Sequence, residues 1–430
     1  MKRDTAIECA PPVRAHQLRV AVVADLLEER WPSMDLVADM LVAELQAQSA
    51  VSGVQPEMLR PQLPRRYDRV LRVRETGATL DRFVNRFWDY PRWLRRHAGT
   101  FDLFHVIDHS YAHLVHVLPP RRTIVTCHDA DAFMGLVQPD LSRSKLPTVL
   151  ANRVLSGLRE AVRVTCDSTA TYEELCRHRL VPASRLVVVR NGVRPECSPE
   201  PDPEADRWAA QMLDDGDARR STDLLHVGST IPRKRIDLLL RVFAAVREQN
   251  PFTRLIRVGG AFTSDQHELL RSLNLQDHVV TLPYLTPAQL AAMYRRAALL
   301  LMPSDREGFG LPVIEAMACG TAVVASDLPV LRETGGAAGV YCAVGNIAAW
   351  RDAVLDVLKR QRHPSDRVAL RSTCLEQAAC FSWSSYAASM CAIYADVRSK
   401  ALEKLSPRTA TEPPHRDARA SVTDLWSSRT

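Results

Sequence analysis

Two glutamates, Glu307 and Glu315, stand with seven residues between them and enclose the run Gly308-Phe309-Gly310-Leu311-Pro312-Val313-Ile314. Gly308 and Gly310 keep side chains away from the main chain, and a short helix that Pro312 opens and Gly320 closes would aim unsatisfied N–H groups at the same point. Backbone donors so arranged hold an anion. Carboxylates bind phosphate poorly but accept well from hydroxyl groups, so this combination suits a sugar joined to a nucleotide. The competing reading leaves Glu307 solvated and Glu315 on a helix surface.

A second set of polar residues recurs at the ends of apolar runs. Residues 103–107 end in Asp108-His109, 123–127 in His128-Asp129, 162–166 in Asp167-Ser168 and 186–190 in Asn191-Gly192. As parallel strands, these runs would bring their C-terminal ends to one rim, where ligands bind in open α/β sheets. His128 is a candidate there, because imidazole can donate to a sugar hydroxyl or accept from one near neutral pH. A histidine at a strand end also serves as an ordinary surface or capping group. Asp108, His109, Tyr111 and Asp129 form a polar cluster that fits acceptor binding. Asp167-Ser168-Thr169 precedes a helical stretch over 170–179 and fits a helix cap.

The third set is basic. Arg233, Lys234 and Arg235 follow a strand expected at 224–228 and lead into an amphipathic helix over 236–249. Cations in that loop would face a pyrophosphate, lysine as a point charge and arginine as a fork. A solvated basic turn is the alternative. Gly228, Ser229 and Gly259 lie where a nucleotide could approach the main chain.

These residues require two scaffolds. A chain of 430 residues exceeds one ordinary core and fits two domains of roughly 200 residues each. Apolar runs and amphipathic stretches alternate in both halves, beginning with a buried strand over 18–24 that ends at Asp25 and a helix from near Met34, with Ser33 or Asp35 available as its cap. The expected fold is α/β, two facing Rossmann-like domains with an inter-domain cleft. The expected divisions are a polar leader over 1–17, an acceptor-side domain over 18–193, a linker over 194–220, a nucleotide-sugar-binding domain over 221–380, a last helical segment over 381–400 and a disordered tail over 401–430. The linker's prolines and acids disfavour a core element.

The run over 303–320 resembles the donor-binding motif of retaining GT-B glycosyltransferases, family four, and Ile124-Val125-Thr126-Cys127-His128-Asp129 resembles the strand-His-Asp element of the same family. The likeness covers most of 18–399. It implies transfer of a sugar from a nucleotide-diphosphate sugar to a hydroxyl acceptor with the anomeric configuration kept, in cell-surface glycan or glycolipid synthesis. Glu315 would hold the ribose, Glu307 and the backbone of Gly308, Phe309, Gly310 and Leu311 the donor sugar, Lys234 the pyrophosphate, and His128 would approach that sugar from the other domain. Phe381-Ser382-Trp383 resembles the family's crossing of the last helix back to the first domain. Two departures stand out. Ser229 occupies the position of the family's arginine, which leaves open whether Arg233 replaces it, and the first loop, from Asp25 to Ser33, has no glycine. A nucleotide-sugar epimerase or phosphorylase on the same fold, and a non-catalytic nucleotide-sugar sensor or assembly partner, are the rival readings.

No Asp-x-Asp pattern calls for a metal, and no cofactor is expected. The net charge of +6 is modest and does not argue for nucleic acid. Residues 81–97 mix five arginines with Phe83, Phe87, Trp88, Tyr90 and Trp93, and Pro91 is expected to divide them into two helical pieces. Such a surface either contacts an anionic membrane, consistent with a lipid-linked acceptor, or is a solvated basic face over packed aromatics. No apolar run reaches the ~20 residues of a membrane span, and the N-terminus lacks the apolar core of a signal peptide. The expected location is the cytoplasm, peripherally at the inner membrane face. The ten cysteines are scattered without ligand spacing and read as reduced, mostly buried thiols.

Overall fold

The computed structural model describes residues 17–403 apart from 30, 65, 68–73, 138–144 and 214–221. The leader to residue 16, part of the linker and the tail beyond 403 lie outside the described residues. Strands β1 (Leu18–Val23), β2 (Val54–Leu59), β3 (Leu103–Val106), β4 (Thr123–Cys127), β5 (Arg163–Cys166) and β6 (Leu186–Val188) form one parallel sheet in the order β2-β1-β3-β4-β5-β6. Strands β7 (Thr222–Val227), β8 (Thr253–Val258), β9 (Val279–Leu282), β10 (Leu299–Met302), β11 (Ala322–Ser326) and β12 (Val340–Cys342) form a second, in the order β12-β11-β10-β7-β8-β9. Helices cover both faces of each sheet, so central strands such as β3, β4 and β10 are buried along their whole length. The architecture is that of two Rossmann-like domains.

Local chemistry explains most element boundaries. Helix Ile236–Gln249 follows the expected apolar stripe, and Ser168 caps helix Thr169–Arg177 by accepting from the Thr171 N–H at 3.1 Å. The first helix starts earlier than expected, at Pro32, and neither Ser33 nor Asp35 caps it; Asp35 instead pairs with Arg60 at 2.8 Å. Between helices Arg74–Val84 and Tyr90–His97 the chain makes one wide, π-type turn over Asn85–Asp89. The break therefore precedes Pro91, which sits in the first turn of the second piece, where its missing N–H costs nothing.

Two expectations need correction. The linker contains a helix, Pro203–Met212, capped by Asp202, with Ala205 and Ala209 buried in the second domain's core and Asp206 paired with Arg295 at 2.6 Å. Its Pro-Glu start is a helix N-terminus, which composition alone reads as a break. Sequence reasoning also passed over β2, whose Pro56, Gln55 and Glu57 disguise a strand; it lies at the sheet edge, where proline is tolerated.

The last helix, Trp383–Glu403, takes in the first residues of the expected tail and packs on the first domain. Trp383, Tyr386, Met390 and Tyr394 join Val20, Val22, Val37 and Leu41 in one core, and the Tyr394 hydroxyl meets His105 Nδ1 at 2.8 Å. Among the described residues no helix is long and apolar enough to cross a membrane, and all nine cysteines are free, six of them buried. Trp383→Ala is expected to cost about 3–5 kcal/mol, as large-to-small changes in cores do. Urea unfolding followed by circular dichroism checks this, and an unchanged midpoint would show that the helix does not hold the first domain.

Candidate functional site

The loop after β10 carries Glu307 to the domain junction, and the helix that follows it carries Glu315. Gly310 begins helix Leu311–Ala318 with φ of 91°, a conformation that glycine adopts without strain. Gly308 touches the first domain: a Cβ there would lie 2.2 Å from the carbonyl oxygen of His128. The Gly308 carbonyl accepts from Ser168 Oγ at 2.8 Å, so the cap of helix Thr169–Arg177 also grips the second domain. Phe309 is buried against Phe381, ring centroids 5.7 Å apart, and Leu311 packs beside it. Their side chains are structural, which leaves their backbone for any ligand.

Glu307 is met by both expected cations. Lys234 Nζ lies 2.6 Å from Oε1 and Arg233 Nη1 3.4 Å from Oε2, while the Asp305 N–H donates to the Arg233 carbonyl at 2.8 Å. The loops after β7 and β10 are thereby joined. Arg235, at φ of 48°, turns away to pair with Asp237 and Asp305.

Glu315 is not on a helix surface. It is 4% exposed, with Arg194 Nε 3.0 Å from Oε1 and the Tyr294 hydroxyl 3.0 Å from Oε2. Burial raises its pKa against the opposing pull of Arg194 and Tyr294. A carboxylate has about four lone-pair sites, so two protein donors leave acceptor capacity. Gly228 and Gly259 contribute differently from the expectation. Their N–H groups continue the sheet, donating to the carbonyls of Val258 at 2.9 Å and Leu282 at 3.1 Å, and so are not offered to a ligand. Ser229, next in the chain, is half-buried. Arg257, fully buried in β8, ties this region together by donating to the carbonyls of Gly228 and Gly260. Two arginines inside a six-residue buried strand were the signal that sequence reasoning missed.

On the first domain the rim residues converge as expected. His128 is held on both sides, Nδ1 against Asp167 Oδ2 at 3.0 Å and Nε2 against the Ile107 carbonyl at 2.8 Å. Burial alone would lower its pKa, but the hydrogen bond and charge of Asp167, with Asp108 and the Ile107 carbonyl, outweigh it and push the value up to about 9. Both ring nitrogens therefore carry protons at neutral pH, and both are spent within the protein. With both ring nitrogens engaged inside the protein, what His128 brings to the junction is a positive charge and the carbonyl that faces Gly308. His109 lies between Asp108, with Nδ1–Oδ1 3.2 Å, and Asp129, with Nε2–Oδ1 3.8 Å. Tyr111 is 1% exposed, and its hydroxyl reaches Glu29 at 3.3 Å, so it supports the cluster from below.

Further bridges between the domains were not legible in sequence. Arg306 pairs with Asp131 at 3.0 Å, and Glu333 accepts from the Thr169 N–H at 2.8 Å and from Arg190 Nε at 2.7 Å. Among the described residues no group of acids, histidines and cysteines is arranged to hold a metal ion.

Comparison with known proteins agrees with the geometry. The family model described as Glycosyl transferases group 1 matches residues 216–372, and that described as Glycosyltransferase Family 4 matches 37–196. A D-inositol 3-phosphate glycosyltransferase from Actinosynnema mirum is 34% identical over 285 residues, 62% of this chain and 64% of that protein. The chain thus spans somewhat less than two thirds of the length of the curated relatives it matches. In fold it is similar to sucrose-phosphate synthase from Thermosynechococcus elongatus, with a TM-score of 0.67 at 20% identity over 89% of this chain and 100% of the other. It is likewise similar to Anabaena HepE in complex with UDP and glucose, with a TM-score of 0.62 at 15% identity over 90% and 99%.

The charge on His128 makes stability depend on pH. With a folded pKa near 9 and an ordinary value of 6.5, its contribution is complete below pH 6.5 and is lost as pH rises through 9, at most about 3 kcal/mol. Chemical denaturation of wild type and His128→Gln across that window should show the difference between them shrinking with rising pH. A constant difference would contradict the charged state.

Proposed function

Because the chain belongs to the GT-B glycosyltransferases of family four, we propose that it transfers a sugar from a nucleotide-diphosphate sugar to a hydroxyl group with the anomeric configuration kept. The observation that carries this reading is the meeting of Lys234 and Arg233 with Glu307 at the Gly308 loop, directly against the His128 carbonyl of the first domain. Cations, an acid and open backbone at one domain junction suit a diphosphate bonded to a sugar. The UDP bound by HepE supports a uridine donor.

As the bond between the anomeric carbon and the diphosphate oxygen breaks, the leaving group gains charge that Lys234, Arg233 and the N–H groups at the start of helix Leu311–Ala318 stabilise. The acceptor oxygen bonds to the same face of the anomeric carbon, and its proton passes to the departing phosphate. The buried acids of the junction are tied to His128, Lys234 or Arg194, which favours this front-face route over a glycosylated carboxylate. Glu315 accepts from the ribose hydroxyls with the capacity that Arg194 and Tyr294 leave. Contacts of Ser168, Asp131 and Glu333 across the junction represent the closed form, which keeps water from the activated sugar; opening admits the donor.

Leu80, Phe83 and Trp88 are exposed, Arg92 stacks 3.3 Å over Trp88, and Arg95 and Arg96 are exposed on the same helix as Arg92, a set that suits an anionic membrane and a lipid-linked acceptor. Co-sedimentation with phosphatidylglycerol vesicles is expected and should be abolished in Trp88→Ser combined with Arg92→Glu; equal binding by the variant would remove this surface from the account.

Nucleotide release from UDP-sugars tests the chemistry. Lys234→Met should lower turnover about hundredfold, as loss of one charge-stabilising donor does, while a chelator leaves the wild-type rate unchanged. Retained turnover in the variant, or loss with the chelator, would overturn the assignment of the leaving-group charge to these side chains.

A further inference from the structure

Glu315 is held from two directions. Arg194 Nε donates to Oε1 and the Tyr294 hydroxyl to Oε2, each at 3.0 Å. With one of these donors on each oxygen, the plane of the carboxylate is fixed and each oxygen keeps a lone-pair direction for a further hydroxyl. A ribose presents two neighbouring hydroxyls, a pair that matches the two oxygens of one carboxylate.

Tyr294 belongs to the second domain's core, whereas Arg194 comes from the segment in which the chain leaves the first domain after β6. That segment is tied down residue by residue. Asn191 is buried, with Nδ2 3.5 Å from Asp167 Oδ2, the oxygen that His128 also meets. Gly192 lies against the returning chain, where a Cβ would be 2.2 Å from the Trp383 nitrogen. The Val193 N–H donates to the Phe381 carbonyl at 3.3 Å, and the Phe381 ring packs on Phe309 of the Gly308 loop. Arg194 follows directly. Its side chain is 19% exposed and ends on Glu315, whose side chain is 5% exposed.

Burial favours the protonated form of Glu315; Arg194 is the largest opposing influence, followed by Tyr294, while Glu196 acts with burial. Loss of Arg194 would remove a donor that orients the carboxylate and a charge that keeps it an acceptor. An ion pair that served only the fold would behave otherwise, since breaking it would weaken every ligand alike.

We propose that Arg194 is a positioning residue for the nucleotide, fixing Glu315 so that both of its oxygens accept from the two ribose hydroxyls. The inference rests on the nucleotide-sugar reading above and deepens it: recognition of the ribose in the second domain depends on a residue of the crossing segment. Arg194 acts through Glu315 and leaves the diphosphate to Lys234 and Arg233.

Isothermal titration calorimetry of the full chain with UDP, GDP and ADP, and with the 2′,3′-dideoxy form of each, tests this. For the nucleotide that binds most tightly, the wild type should prefer the ribose form by about tenfold or more, as hydrogen bonds to a charged group do. Arg194→Met should reduce that preference to about threefold or less, with affinity for the dideoxy form within about twofold of wild type. Arg194→Gln, which leaves Glu315 the Tyr294 hydroxyl and a neutral amide, should do the same and serves if the methionine variant fails to fold. Arg194→Lys keeps a charged donor, so it should recover a preference of about fivefold or more. Adding Arg194→Met to Glu315→Gln should lower the preference no further than Glu315→Gln alone. A wild-type preference in Arg194→Met overturns the proposal, as do equal losses for the ribose and dideoxy forms, or a lysine variant no better than the methionine one. A wild type that binds both forms equally overturns it as well. If none of these nucleotides binds, the nucleotide-sugar reading itself fails and the role of Arg194 falls with it.

Discussion

One backbone contact organises this molecule. Gly308 rests against the carbonyl of His128, close enough that a single added carbon would separate the domains. Around that point, groups from both halves are bound to each other: Ser168 to the Gly308 carbonyl, the Thr169 N–H to Glu333, and Arg306 to Asp131. The junction exists because glycine leaves room there and because two parallel sheets deliver loops to facing rims.

Electrostatics then separates the two rims. The second domain brings Lys234 and Arg233 to Glu307, a cluster that an anion can enter by sharing the cations. The first domain brings Asp25, Glu29, Asp108 and Asp129, with His109 and His128 beside acids. A nucleotide diphosphate suits the cationic cluster at Glu307.

Much of this was legible in the sequence. The apolar runs over 18–24, 103–107, 123–127, 162–166, 186–190 and 224–228 all became strands, since a buried parallel strand is a continuous hydrophobic stretch with a polar end. The run over 303–320 located the loop and helix after β10 because glycine and proline each have a backbone meaning. Partners were not legible. Nothing in the neighbourhood of Glu315 along the chain points to Arg194 or Tyr294, and nothing beside His128 says that Asp167 and the Ile107 carbonyl will occupy both its nitrogens. Pairings between residues distant in sequence depend on the sheet order, which periodicity does not specify. The linker helix and β2 were lost for a related reason: proline marks a break in composition, yet at a helix's first turn or a sheet's edge it is compatible with regular structure.

The central claim is that the Gly308 loop and the cations beside it receive a nucleotide through its diphosphate. Isothermal titration calorimetry with UDP and with uridine addresses it most directly. Saturable UDP binding, with uridine at least about tenfold weaker for want of the charges that Lys234 and Arg233 meet, is the result the account predicts. Equal affinity for the two, or no heat from either, would contradict it.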